Sequence, residues 1–81
     1  MRITVNEIGQ QQRQHILETN QDKLLPFLQE TNESQGLSWL YEGKLQAHIR
    51  VYINQQWIAD PTNQPIHNND VIDLISPMAG G

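Results

Sequence analysis

The chain opens on an alternation, with Ile3 and Val5 set between Arg2, Thr4 and Asn6, the two-residue period of a half-buried strand. Asn6-Glu7-Ile8-Gly9 then offers turn residues. Residues 12–17 read as a returning strand with thin apolar content, Ile16 and Leu17 beside His15. A hairpin is the simplest connection between the two.

From Leu24 the period changes. Leu24, Leu25, Phe27 and Leu28 form an apolar face at helical spacing, and Thr19, Asn20 and Asp22 each carry a side-chain oxygen able to accept a first-turn N–H. Pro26 lacks an N–H and is harmless only in the first turn, which favours a cap at Asp22 or later; a cap at Asn20 would place Pro26 inside the helix and distort it. Asn32 to Gly36 looks like the exit. Residues 36–47 read mostly as connection, yet they hold Trp39, Leu40 and Tyr41. These three are expected to fold back over the open edge of the core, the alternative being a ligand-stacking surface.

The two-residue period returns at His48, with Ile49, Val51 and Ile53 on one face and His48, Arg50 and Tyr52 on the other. Asn54-Gln55-Gln56 is a plausible tight turn, Trp57 and Ile58 start a short returning strand, and Pro61 ends it. Ile66 is an isolated apolar residue expected to plug the core. His67-Asn68-Asn69-Asp70 is turn chemistry, with Asn69 suited to a left-handed conformation. Val71-Ile72-Asp73-Leu74-Ile75 is apolar at nearly every position, the mark of a central strand. The order strand, strand, helix, strand, short strand, strand describes an α+β fold. It predicts a mixed sheet of four to five strands with one main helix packed on one face, the β-grasp (ubiquitin-like) plan. Residues 1–76 are expected to form this domain and residues 77–81 a flexible C-terminal Gly-Gly tail.

Composition narrows the function classes. Eighty-one residues make one small domain with a modest core. Five Lys and Arg against nine Asp and Glu give a net charge of −4, which argues against binding a nucleic-acid backbone. No apolar run approaches a signal peptide or a membrane span, so no membrane partner is expected. The absence of cysteine removes disulfides, thiolate metal sites and a cysteine nucleophile, and suits a cytoplasmic protein. His15, His48 and His67 lack the short spacing of metal ligands, so no metal site is expected. Asp60, Asp70 and Asp73 are too scattered to work as a carboxylate pair, and no glycine-rich phosphate loop is present. Asn and Gln supply 18 residues, including Gln10-Gln11-Gln12, and are read as surface polarity. An autonomous enzyme is not expected.

Two segments carry a resemblance. The closing run Asp70-Val71-Ile72-Asp73-Leu74-Ile75-Ser76-Pro77-Met78-Ala79-Gly80-Gly81 is similar to the last strand and terminal Gly-Gly of the ubiquitin-like sulfur carriers, the MoaD and ThiS family. The run from Gly43 to Asn54 resembles that family's Gly, Leu, strand and Asn before a hairpin. Asn68-Asn69 stands where the family often has Asp-Gly, and Pro26 falls where its helices are usually regular.

The resemblance implies a carrier that is a substrate of other enzymes. Its terminal carboxylate on Gly81 would be adenylated by a ubiquitin-activating-type enzyme that uses ATP. It would then become a thiocarboxylate that donates sulfur to an acceptor such as the large subunit of molybdopterin synthase. Thiazole (thiamine) or cysteine synthesis are alternative acceptors, and a ubiquitin-like modifier joined to lysine is the alternative role. No bound cofactor is implied.

Gly80 and Gly81, without Cβ, could thread a narrow channel; Pro77 would stiffen the root of the tail, Ala79 would keep it slim, and Met78 would find an apolar partner pocket. Residues 77–81 span at most about 17 Å. If the last strand lies beside the one containing Tyr52, then Ile75 and Asp73 share the open sheet face with His48, Arg50 and Tyr52. That surface is either a partner patch or an ordinary solvated face.

Overall fold

The computed structural model describes residues 1–9, 12–37 and 39–76. Its elements are β1 (Arg2–Ile8), β2 (Arg13–Glu18), α1 (Leu24–Gln35), β3 (Leu40–Tyr41), β4 (Lys44–Leu45), β5 (Arg50–Ile53), β6 (Gln56–Ile58) and β7 (Val71–Ile75). Five strands form one mixed sheet in the order β2-β1-β7-β5-β6, and β3 pairs with β4 separately. The last strand is central, as its apolar run predicts: it lies parallel to β1 and antiparallel to β5. One helix, five sheet strands and this order are the β-grasp fold.

Alternation decides which residues meet the helix. Ile3 and Val5 from β1, Val51 and Ile53 from β5, and Ile72 and Leu74 from β7 are all buried. Against them α1 lays Leu24, Phe27, Leu28 and Thr31, spaced three and four apart so that they share one face. Ile66 completes the core from the linker, as expected of an isolated apolar residue there.

The chain departs from its sequence pattern in several places. The expected turn at 6–9 begins later, because β1 continues to Ile8 with partners on both sides: Glu7 opposes Arg13 and Leu74, and Ile8 opposes Ile75. The returning strand is shifted by one residue at each end, to Arg13–Glu18. None of Thr19, Asn20 and Asp22 caps the helix. Lys23 is the N-cap without a side-chain bond, while the Leu24 N–H donates to the Gln64 carbonyl at 2.8 Å, so a distant carbonyl satisfies an end group that a cap would otherwise take. The late start keeps Pro26 in the first turn, where its missing N–H costs nothing. The helix also runs beyond Asn32, ending at Gln35 before a left-handed Gly36.

The connection at 36–47 folds as the β3-β4 hairpin. Trp39 does fold back over the core edge, and Leu40 packs partly against it, but Tyr41 is 70% exposed. Asn54 and Gln55 both have positive φ, 51° and 70°, and form a two-residue hairpin loop, so Gln56 belongs to β6. Asn69 is left-handed at φ 70°. Asn54 and Asp70 then tie this hairpin to the start of β7: Asn54 Nδ2 donates to Asp70 Oδ1 at 3.0 Å, and the Val71 N–H donates to Asn54 Oδ1 at 3.0 Å. The far end of β7 is thereby fixed, and its near end points toward the last five residues. Pro77, Met78, Ala79, Gly80 and Gly81 lie outside the described residues, as do Gln10, Gln11 and Ser38. Among the described residues no helix is long and apolar enough to cross a membrane.

Candidate functional site

The site forms where β7 ends. Ser76 extends the parallel pairing by one bond, its N–H donating to the Ile8 carbonyl at 2.9 Å. The chain therefore leaves the sheet at the shared end of β1 and β7, with the start of β5 alongside, since Arg50 opposes Ile75.

On the open face of the sheet the register brings four of the five proposed patch residues together. Tyr52 opposes Asp73 and Arg50 opposes Ile75. Around them lie exposed apolar side chains, Ile8, Val71 and Trp57, the last 54% exposed and opposite Tyr52. Arg50 places its guanidinium carbon 6.0 Å from the Trp57 ring centroid, a contact worth about 0.5–1 kcal/mol at an exposed site. Asp73 is already engaged: Asn6 Nδ2 donates to it at 2.9 Å, and Gln14 Nε2 donates to Asn6 at 2.9 Å, a polar ladder across three strands. The expected fifth member, His48, is not on this face. β5 begins only at Arg50, because Ile49 N–H turns back to the Gln46 carbonyl, and His48 instead lines a depression beside Trp39 and Leu74.

That depression has a volume of about 470 Å³, and Ser76 forms part of its wall with Glu7, Gln46 and His48. Glu7 is the anchor of its floor. Its Oε1 accepts the Trp39 indole N–H at 2.8 Å, its Oε2 lies 2.8 Å from His15 Nε2, and Arg13 Nε approaches to 3.6 Å. The His15 and Trp39 rings meet edge to face at 6.0 Å. Trp39 is thus both the lid of the core edge and a hydrogen-bond donor to β1. Sequence reasoning missed this group, although one signal was present: Glu7 continues the inward positions of Ile3 and Val5, and an acidic residue at an inward position requires partners.

Burial pushes the Glu7 carboxyl up, but hydrogen bonds from His15 and Trp39 and the charges of His15 and Arg13 outweigh it, leaving the group below its ordinary value of 4.5. A carboxylate whose folded pKa is depressed stabilises the fold fully above its unfolded pKa and loses that contribution as pH falls through the folded value. Glu7→Gln is therefore expected to cost about 1–3 kcal/mol at pH 7. The gap between the two proteins should shrink once pH drops below 4.5. Thermal melts of both proteins from neutral pH into the acid range check this.

Among the described residues no cluster of three or more His, Cys, Asp or Glu could hold a metal ion.

Comparison with known proteins fits this geometry. The model of the ThiS family matches residues 3–81. Among curated proteins none matches significantly. The solution structure of the HVO 2177 protein of Haloferax volcanii superposes with a TM-score of 0.69 at 16% identity, covering all of this chain and 87% of that one. A chain from the complex of subunits 1 and 2 of molybdopterin-converting factor from Helicobacter pylori 26695 superposes at 0.64 with 23% identity over the full length of both chains. SAMP1 from Haloferax volcanii gives 0.60 at 17% identity, covering 96% of this chain and 99% of that one. At these identities the superpositions establish the shared fold.

Proposed function

The chain belongs to the ThiS family, and from that membership we propose that it is a ubiquitin-like sulfur carrier whose reactive group is the carboxylate of Gly81. The observation that carries the reading is the extent of the family match, which runs from residue 3 to residue 81 and so takes in Gly80-Gly81 as well as the folded body.

The chemistry follows from what a carboxylate lacks. An α-carboxylate is anionic at neutral pH, with a pKa near about 3.5, and resists nucleophiles. An adenylating enzyme of the ubiquitin-activating type overcomes this: a carboxylate oxygen of Gly81 attacks the α-phosphorus of ATP, pyrophosphate leaves, and an acyl adenylate forms. Sulfur at the sulfide level then attacks the acyl carbon, the bond to the phosphate oxygen breaks, and AMP departs with that oxygen, leaving a thiocarboxylate. The carrier contributes no acid, base, metal or bound cofactor to these steps. It contributes reach, since an arm of five residues extends at most about 17 Å from Ser76, and a docking face formed by Arg50, Tyr52, Asp73 and Ile75. Trp, Tyr and Arg at that face are the residue types that dominate binding energy in protein interfaces.

We take the acceptor to be the large subunit of a molybdopterin synthase. The support is that a chain of the same fold and length stands in the H. pylori complex of the two molybdopterin-converting factor subunits. A host strain lacking the gene tests this reading. It is expected to lose molybdenum-enzyme activity, with restoration by the intact chain and none by a chain lacking Gly81. A requirement for thiamine or cysteine instead would move the acceptor to thiazole or cysteine synthesis. Conjugates joining Gly81 to lysines of other proteins would favour a modifier.

A further inference from the structure

We propose that Gly9 is a positioning residue for the C-terminal arm: its bare Cα, pressed against Ser76, fixes the direction in which the chain leaves the sheet. The proposal rests on the carrier reading above and names a residue that the reading does not contain.

Gly9 follows the last residue of β1 and holds φ at +143°, a conformation L side chains rarely adopt. A Cβ added there would collide with the Ser76 carbonyl oxygen and lie 2.7 Å from its Oγ, approaches that real Cβ atoms essentially never show, and 3.3 Å from its carbonyl carbon, which is tighter than most real contacts. Ser76 is held a second time by its N–H bond to the Ile8 carbonyl at 2.9 Å. Ile8 at the end of β1 and Gly9 just after it therefore grip one residue of the tail root, one by a hydrogen bond and the other by contact. The grip is stiff because Glu7, immediately before them, is fixed by Trp39 and His15 at 2.8 Å each.

A methyl group at position 9 forces something to move. The Ser76 hydroxyl can rotate away, whereas its carbonyl oxygen retreats by turning the peptide unit that follows residue 76. That turn redirects everything beyond it. A change of about 20° at the root swings the end of a fully extended arm by roughly 6 Å. Misplacement of a reacting group by as little as about 1 Å can cost on the order of 10²-fold in rate. Docking of the body is untouched, because Arg50, Tyr52, Asp73 and Ile75 keep their places. The signature is a fall in kcat with KM conserved.

The test is ATP–pyrophosphate exchange by the adenylating enzyme of the same host, with the full-length carrier as the varied substrate and melting curves recorded in parallel. Gly9→Ala is expected to lower kcat about tenfold or more, to leave KM within about twofold, and to lower the melting temperature. Ser76→Gly alone, measured beside it, sets the reference against which the double variant is read. The double variant Gly9→Ala/Ser76→Gly lets the carbonyl swing aside, so its melting temperature should recover while kcat stays low. It also carries the test should the single Gly9→Ala chain not fold. A wild-type kcat in Gly9→Ala, or a kcat that recovers together with the melting temperature in the double variant, overturns the proposal. Absence of exchange with the wild-type chain would instead overturn the carrier reading.

Discussion

Removal of Gly81 is expected to reduce ATP-dependent activation by at least about 10²-fold while changing stability by no more than about 0.5 kcal/mol. The two halves of this result have separate causes. Shortening the arm by one residue withdraws the terminal carboxylate by roughly 3.3–3.6 Å, several times the displacement that already spoils alignment with ATP. The fold does not depend on that residue, because the buried apolar core among the described residues closes at Leu74, seven positions earlier in the chain. Exchange assays and thermal melts on the same preparations check both halves. Activity that survives deletion would mean the Gly-Gly end is incidental.

The second large effect lies in the core. Phe27→Ala is expected to cost about 3–5 kcal/mol, most of the stability that a domain of this size can hold. Phe27 is fully buried on the face of α1 that meets Ile3, Val5 and Ile72, themselves without exposure. The helix meets the sheet through few large side chains, so the cavity left by Phe27 has little else to fill it. Urea denaturation followed by circular dichroism should show the midpoint displaced to low denaturant or a chain unfolded in buffer. A variant within about 1 kcal/mol of wild type would mean the helix–sheet contact is not where the fold draws its stability.

The sheet was legible in the sequence wherever one face of a strand is uniformly apolar. Ile72 and Leu74 read as inward and are, Val51 and Ile53 likewise, and the run from Val71 to Ile75 announced a strand with neighbours on both sides. The left-handed Asn69 was legible because its local chemistry suffices. What was not legible depends on partners far along the chain. Glu7 is inward only because His15 and Trp39 reach it, and α1 starts at Leu24 without a side-chain cap because the Gln64 carbonyl serves in its place. Tyr41 was expected over the core edge with Trp39 and Leu40 and stands exposed instead, because it sits in a hairpin too short for its own alternation to show.

The candidate site divides the same way. The closing strand and its Gly-Gly were readable as residues in order, and the register confirms that Arg50, Tyr52, Asp73 and Ile75 meet on one face. His48 was misplaced because alternation was extended two residues before β5 begins. Gly9 looked like any turn glycine. Its contact with Ser76 joins positions at opposite ends of the sequence, and only the parallel pairing of β1 with β7 brings them together.

Intact-mass spectrometry of the protein purified from its native host tests directly the proposal that Gly81 carries sulfur. The expected result is a species in which one sulfur replaces one oxygen, with fragmentation placing the change on Gly81 and alkylation of the thiocarboxylate removing it from the unmodified pool. A population ending only in an ordinary carboxylate at Gly81, with the adenylating enzyme and a sulfur donor active in the same cells, would contradict it.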